Sequence, residues 1–171
     1  HNVQNAVSAA SAASLLGIEL ETISSALAGF QGVKRRMEIL ASHEDYLIYD
    51  DFAHHPTEIL KTLSSLREKI GNDQIIALIE PRSRTMQSGL HDKEMVKALS
   101  PADSVIWYEG QDVKRSMFTE LKKAKAEVYF AANISEIIQI TRQIKTTKSN
   151  IVIMSNGDFS GLRELFKGEL D

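Results

Sequence analysis

Hydrophobic positions along this chain recur with two different periods, and the exchange between them marks out its elements. After Pro56, Ile59, Leu63, Leu66 and Ile70 fall on one helical stripe. Proline suits the first turn of that helix, where its missing N–H would have no partner anyway. Gly71-Asn72 is placed to stop it. The short apolar run at 74–79 reads as a buried strand, and 104–108, 127–130 and 150–154 read as further strands. Between them come further helical stripes: Met95, Val96 and Leu99 within 92–99, then Val113, Met117, Phe118 and Leu121. Ile134, Ile137, Ile138 and Ile144 follow Asn133, which with Glu136 makes a capping box, and Leu162, Leu165 and Phe166 stripe the last helix. Upstream, the apolar runs 37–41 and 46–49, joined by His43-Glu44-Asp45, predict a hairpin. Strand and helix then alternate with short connections. That alternation predicts an α/β fold, a Rossmann-like, doubly wound, mostly parallel sheet of about six strands, with one antiparallel edge strand from the hairpin.

Two short helices precede this unit. Residues 4–16 are rich in Ala, Ser and Leu, which favours a helix with small side chains on its contact face, and Gly17 is placed to end it. Residues 21–30 repeat the helical signature with Ile23, Leu27 and Phe30 on one face. Two such helices cannot make a domain alone, so they read as the tail of a preceding domain or a cap on the larger unit. The composition turns basic at Gln31-Gly32-Val33-Lys34-Arg35-Arg36, giving an expected division into 1–31 and 32–171. A solvated linker and an anion site, with paired arginines set for phosphate oxygens, both fit that stretch.

Composition narrows the classes. With 43% hydrophobic and 25% charged residues among 171, the chain can bury a real core. Its net charge of −3 gives no general attraction to nucleic acid or anionic membrane. The absence of cysteine excludes disulfides and thiolate chemistry and fits a reducing cytoplasm, the expected location. No run approaches the roughly 20 apolar residues that span a bilayer. His1-Asn2-Val3-Gln4 has neither an initiator methionine nor a signal-peptide pattern, which leads to the expectation of an excised fragment.

In doubly wound sheets ligands bind beyond the carboxyl ends of the strands. Three of the five expected parallel ends are polar and unusual: Asp50, Asp51, His54 and His55; Glu80-Pro81-Arg82-Ser83-Arg84-Thr85; and Ser155-Asn156-Gly157-Asp158-Phe159. The other two, Glu109-Gly110-Gln111-Asp112 and Ala131-Ala132-Asn133, are plainer. Each polar end also has a bland reading. Asp50 and Asp51 suit helix capping, His54 and His55 suit helix-start residues, and Arg82 and Arg84 suit solvated loop charges. Ser155-Asn156-Gly157 suits a turn with glycine at a left-handed position. Adjacent histidines without a spaced third ligand are a weak zinc signal, and no metal site is expected. Convergence at one sheet edge is what favours a shared cleft. The chain has no G-x-G-x-x-G, no P-loop and no G-x-S-x-G elbow, which disfavours a dehydrogenase, a self-sufficient NTPase and an esterase.

Three stretches together resemble the Mur ligase family of bacterial peptidoglycan synthesis. His1-Asn2-Val3-Gln4-Asn5-Ala6 is similar to the HNxxNA segment near the end of the family's central ATP-binding domain. Gly32-Val33-Lys34-Arg35-Arg36-Met37-Glu38 is similar to GVKRR-x-E at the start of its C-terminal domain. Asp50-Asp51-Phe52-Ala53-His54-His55-Pro56-Thr57-Glu58-Ile59 resembles DDYGHHPTEI. DDFAHHPT, Glu80-Pro81-Arg82-Ser83 and Met154-Ser155-Asn156-Gly157 with Phe159 are most similar to one branch of the family. That branch joins UDP-N-acetylmuramate to L-alanyl-γ-D-glutamyl-meso-diaminopimelate in peptidoglycan recycling. The L-alanine-adding branch is one alternative, and a stand-alone module binding nucleotide or metal through the 50–56 loop is another. Arg84, where Asn is commoner, and Asp158, where a small residue is, depart from the branch pattern.

The resemblance implies an ATP- and Mg²⁺-dependent ligase in which the muramoyl carboxylate becomes an acyl phosphate that the peptide's amino group then attacks. It implies adenine-side positions for Asn2 and His1, and a phosphate-reaching role for Arg36, with Arg35 as runner-up. Asp51 is implied at the ribose hydroxyls, Phe52 beside adenine, and His54 and His55 toward the muramoyl substrate. Arg82, Arg84, Ser155 and Asn156 are implied at the amino substrate, and 1–31 becomes a remnant of the central ATP-binding domain. Motion about 31–35, and P-loop and Mg²⁺ ligands upstream of His1, complete the expectation, so the fragment alone is expected to be inactive.

Overall fold

The computed structural model describes residues 2–30, 32–82, 91–109 and 119–168. It divides into two compact units, His1–Val33 and Lys34–Asp171. The first holds two helices, α1 (Asn2–Leu15) and α2 (Leu20–Ala28). Ala9, Ala10 and Ala13 of α1 line a shallow apolar hollow with Ile23, Ala26 and Leu27 of α2. Small side chains let the helices approach, as the Ala/Ser-rich composition predicts. Burial is thin, however. Of the expected stripe only Ile23 is buried, while Leu27 and Phe30 are 38% and 63% exposed. Helices of 14 and 9 residues have too little shared surface to cover their own apolar side chains.

The second unit is built on a sheet in the order β1-β2-β6-β3-β4-β5. Its strands are β1 (Arg36–Ser42), β2 (Tyr46–Asp51), β3 (Gln74–Ile79), β4 (Ser104–Tyr108), β5 (Glu127–Ala131) and β6 (Ser149–Met154). The hairpin strand β1 pairs antiparallel with β2, with register shifts between Arg36 and Glu38 and between Ile39 and Ala41. Every other pairing is parallel. The six strands and the single antiparallel edge strand are those the hydrophobic pattern predicts.

Helices among the described residues include α3 (Pro56–Ile70), α4 (Asp92–Ala98), α5 (Ile134–Ile144) and the short α6 (Leu162–Leu165). Strand alternation sends successive residues to opposite faces. Ile75, Ala77 and Ile79 of β3 join Ile59, Leu63 and Leu66 of α3 and Met95 of α4 in one core layer. Ile76 and Leu78 join Ile137 of α5 and Leu162 of α6, together with Phe159 and Phe166, in the other. Both faces are therefore covered. Half of the expected capping box forms: Asn133 Oδ1 accepts from the Glu136 N–H at 3.0 Å, but the Glu136 carboxylate reaches back to the Ala132 N–H at 2.8 Å, one residue before the N-cap, rather than to that of Asn133.

Two details differ from expectation. Leu165 is 53% exposed, because a helix of four residues turns only Leu162 and Phe166 inward. Val96 is half-buried, leaving Met95 and Leu99 as the inward residues there. Val113, Met117 and Phe118 lie outside the described residues, while Leu121 is fully buried. Among the described residues no helix is long and apolar enough to cross a membrane.

The strand order has one consequence for function. β6, the last strand in the chain, lies between β2 and β3. The three polar strand ends therefore emerge side by side, and the two plainer ends emerge toward the β5 edge.

In urea unfolding of this chain, Leu63→Ala is expected to cost about 2–5 kcal/mol, because Leu63 is fully buried between α3 and the sheet. Leu165→Ala should stay within about 0.5 kcal/mol of the parent. Equal losses would contradict the core described.

Candidate functional site

Asp51 closes β2, and its side chain turns inward rather than to solvent; the residue is fully buried. Oδ1 accepts from the Ala53 N–H at 2.8 Å and from the Thr62 hydroxyl at 3.3 Å, and Oδ2 accepts from the Met37 N–H at 2.9 Å. One carboxylate thereby ties the start of β1, its own loop and α3 together. That anchoring matters because the chain is conformationally unusual there, with φ of +58° at Arg35 and +54° at Met37. Burial pushes the Asp51 carboxyl above the usual range. The two backbone N–H groups, the nearby Arg36 charge and Thr62 pull it down by less.

The two histidines are used differently. His54 Nδ1 lies 3.0 Å from the Phe52 carbonyl oxygen, which requires Nδ1–H to donate and leaves Nε2 as the lone-pair nitrogen of the neutral ring. Glu58 approaches the same Nδ1 at 3.5 Å. His55 is the N-cap of α3, and its Nδ1 accepts from the Thr57 N–H at 3.3 Å, so its own proton sits on Nε2. The bland reading of His55 as a helix-start residue thus describes its Nδ1, and neither aspartate caps α3. His91 meets the His55 ring edge-on at 5.0 Å. The half-buried Phe52 has the Arg35 and Arg36 guanidinium carbons 4.9 and 5.8 Å from its ring centroid.

Asp50, also buried, is bracketed by two arginines. Arg163 Nε donates to its Oδ1 at 2.8 Å, and Arg35 Nε lies 3.4 Å from its Oδ2. Both guanidinium groups also reach the loop after β6. Arg163 donates to the Gly157 carbonyl at 2.8 Å and the Ser155 carbonyl at 3.5 Å. Arg35 donates to Gly157 O at 2.9 Å and to Ser155 O. A left-handed run at Phe159, Ser160 and Gly161, with φ of +54°, +50° and +75°, leads the chain into the short helix that carries Arg163. The buried Phe159 and an Asp158 Oδ2 bond from the Gly161 N–H at 3.1 Å hold that run. Arg163 is not legible in the sequence. A buried strand-end aspartate signals that a cation must come, but not which of the 20 lysines and arginines comes.

The third strand end joins the other two. The Ser155 N–H donates to Asp51 O at 3.2 Å and the Glu80 N–H donates to Met154 O at 3.1 Å, extending the ladder past both strands. Ser155 Oγ donates to the Glu80 carboxylate and accepts from the Gly157 N–H at 2.9 Å, so the hydroxyl is committed inside the loop. Arg82 lies exposed against Gly157. Asn156 Oδ1 is buried without a partner among the described residues. Among those residues Arg36 and Arg82 have no ion pair, whereas Arg35 and Arg163 share Asp50. His1, Arg84 and the side chain of Asn2 lie outside the described residues and side chains. Gly157 is absent from the positive-φ glycines, so the bland reading of 155–157 as a turn with glycine in a left-handed position does not hold.

Over residues 35–157 the chain matches the family model described as Mur ligase, glutamate ligase domain. It is 34% identical over 165 residues to the UDP-N-acetylmuramate–L-alanyl-gamma-D-glutamyl-meso-2,6-diaminoheptandioate ligase of Haemophilus influenzae, covering 96% of this chain and 36% of that protein. A murein peptide ligase from Psychrobacter arcticus matches in structure with a TM-score of 0.75 at 35% identity, over 96% of this chain and 36% of its own. The UDP-N-acetylmuramate-alanine ligase of Thermotoga maritima gives a TM-score of 0.77 at 28% identity, over 97% of this chain and 36% of its own. The chain thus spans little more than a third of the length of these relatives.

Because burial raises the Asp51 carboxyl, the folded chain keeps that proton to higher pH than the unfolded chain does. Its contribution is fully present below the ordinary carboxylate value and falls as pH rises through the raised folded value. Urea unfolding of the parent and Asp51→Asn across that acid window should show the parent losing stability relative to the variant as pH rises. A gap that is flat, or that moves the other way, would contradict the assignment.

Proposed function

The chain belongs to the Mur ligase family, and from that premise we propose that it is the amino-substrate-binding part of an ATP-dependent ligase that joins UDP-N-acetylmuramate to L-alanyl-γ-D-glutamyl-meso-diaminopimelate. Residues 32–171 form the C-terminal domain in this reading, and 1–31 the end of a central ATP-binding domain. The observation that carries it is the meeting of three strand-end loops with two cations, Arg36 and Arg82, that form no ion pair among the described residues.

The division of the arginines suggests their roles. Arg36 is free to reach phosphate oxygens, which places it ahead of Arg35, whose guanidinium is engaged by Asp50 and two carbonyls. ATP supplies the phosphoryl group that turns the muramoyl carboxylate into an acyl phosphate, and an arginine near the transferring group stabilises the charge that develops. Phe52 offers a ring beside the nucleotide, while Asp51 acts by fixing the loop that carries it. Nucleotide contact by the Asp51 carboxylate would require its three internal hydrogen bonds to open.

Arg82 binds a carboxylate of the incoming peptide, and Asn156 Oδ1 accepts from its amino group. His54 Nε2, held outward by the bond at Nδ1, is placed to accept a proton or hydrogen bond from the substrate, and His55 Nε2–H to donate one. The amine then attacks the acyl carbon, inorganic phosphate leaves, and the amine's proton passes to a base. In this reading the Mg²⁺ ligands belong to the remainder of a protein of the relatives' length. The reaction's substrates place the enzyme in the cytoplasm.

The test is ATP-dependent phosphate release by the enzyme-length protein with UDP-N-acetylmuramate and either the tripeptide or L-alanine. Tripeptide-dependent turnover is expected, and turnover with L-alanine alone would move the chain to the other branch. Arg36→Ala should lower kcat by roughly 10²–10³-fold. Arg82→Ala should raise the KM for the amino substrate by roughly tenfold or more, the value of a charge-assisted hydrogen bond. Unchanged constants in these variants would remove both roles.

A further inference from the structure

The loop after β6 is held on one side and open on the other. Arg35 and Arg163 take its Ser155 and Gly157 carbonyls, Asp50 neutralises part of their charge, and Ser155 Oγ is committed to Glu80 and the Gly157 N–H. On the open side lies Arg82. A Cβ built on Gly157 would stand 2.7 Å from both Cδ and Cζ of Arg82, and nearer still to Nη1. Real carbon atoms do not approach that closely, so the arginine occupies the volume that any side chain at 157 would fill. Backbone conformation does not account for the glycine, since it is not among those with positive φ. What Gly157 provides is space.

We propose that Gly157 is a positioning residue: by lacking a side chain it leaves Arg82 room against the pinned 155–157 loop, and so sets where the amino substrate's carboxylate is held. This rests on the reading of Arg82 as the carboxylate-binding residue. The seat itself is a property of residues 82 and 157 alone. Because the carbonyls of the loop behind it are held by Arg35 and Arg163, a side chain at 157 displaces the arginine at 82 rather than the loop. A displaced guanidinium still carries its charge but no longer presents two parallel N–H groups at the same place, which weakens bidentate carboxylate binding.

The experiment is a double-mutant cycle with Gly157→Ala, Arg82→Ala and the double variant. In the enzyme-length protein, Gly157→Ala should raise the KM for the amino substrate by roughly tenfold with kcat and the KM for ATP little changed. In the Arg82→Ala background it should add nothing. Urea midpoints of this chain give the second readout: any lowering by Gly157→Ala should appear only when Arg82 is present. Should Gly157→Ala alone fail to fold, recovery of folding in the double variant supports the seat equally. Equal effects of Gly157→Ala in both backgrounds, on KM and on midpoint, overturn it. Coupled midpoints with an unchanged amino-substrate KM in Arg82→Ala would leave the seat standing and overturn the assignment of carboxylate binding to it.

Discussion

β6 lies between β2 and β3, and the other features of the larger unit depend on that insertion. Its six residues, Ser149–Met154, are all buried, pairing in parallel on both sides. Without it, the hairpin and the β3-β4-β5 half would each present an open edge of unpaired N–H and C=O groups. The insertion also sets the point at which strand order reverses, which in doubly wound sheets is where a crevice opens beyond the strand ends. The same pairing that closes the hydrogen-bond ladder thus lines up the loops after Asp51, Ile79 and Met154.

Charge is then partitioned across this edge. A carboxylate as buried as Asp50 needs paired cations, and two arginines answer it from opposite directions in the chain, 35 and 163. Each also satisfies carbonyls that the end of β6 would otherwise leave bare. The pair has little value as a stability device, since desolvation offsets much of the attraction. Its effect is geometric: it fixes the Ser155–Gly157 carbonyls, while Arg36 and Arg82 at the same edge form no ion pair among the described residues. Positive φ values at Arg35 and Met37, and at Phe159 to Gly161, flank this cluster, and strained backbone of that kind persists where surrounding contacts over-determine it.

Asp51 shows why a residue type and its position do not by themselves define a role. It stands where the family resemblance implies a nucleotide contact, yet its oxygens are engaged by Met37, Ala53 and Thr62. His55 combines two functions in one ring, with Nδ1 capping α3 and Nε2 left for another partner.

The elements and the fold class were legible in the hydrophobic pattern alone. Hydrophobic period is a local property, strong wherever a strand is buried on both faces or a helix lays one stripe on the sheet, as at 74–79 and 56–70. Turn and cap chemistry were legible for the same reason, Asn133 with Glu136 being the clearest case. Short or thinly covered elements were not: Leu165, Leu27 and Phe30 belong to apolar stripes, but their helices are too short, or too sparsely covered, to bury them. Which strand neighbours which, which arginines meet Asp50, that Asp51 faces inward, and that Gly157 yields its space to Arg82 were decided only by the tertiary structure. Each joins residues that are far apart in the chain or depends on where a side chain turns. Long-range pairing and side-chain direction leave no periodic trace in the sequence, so charge type and spacing name the candidates without naming their partners.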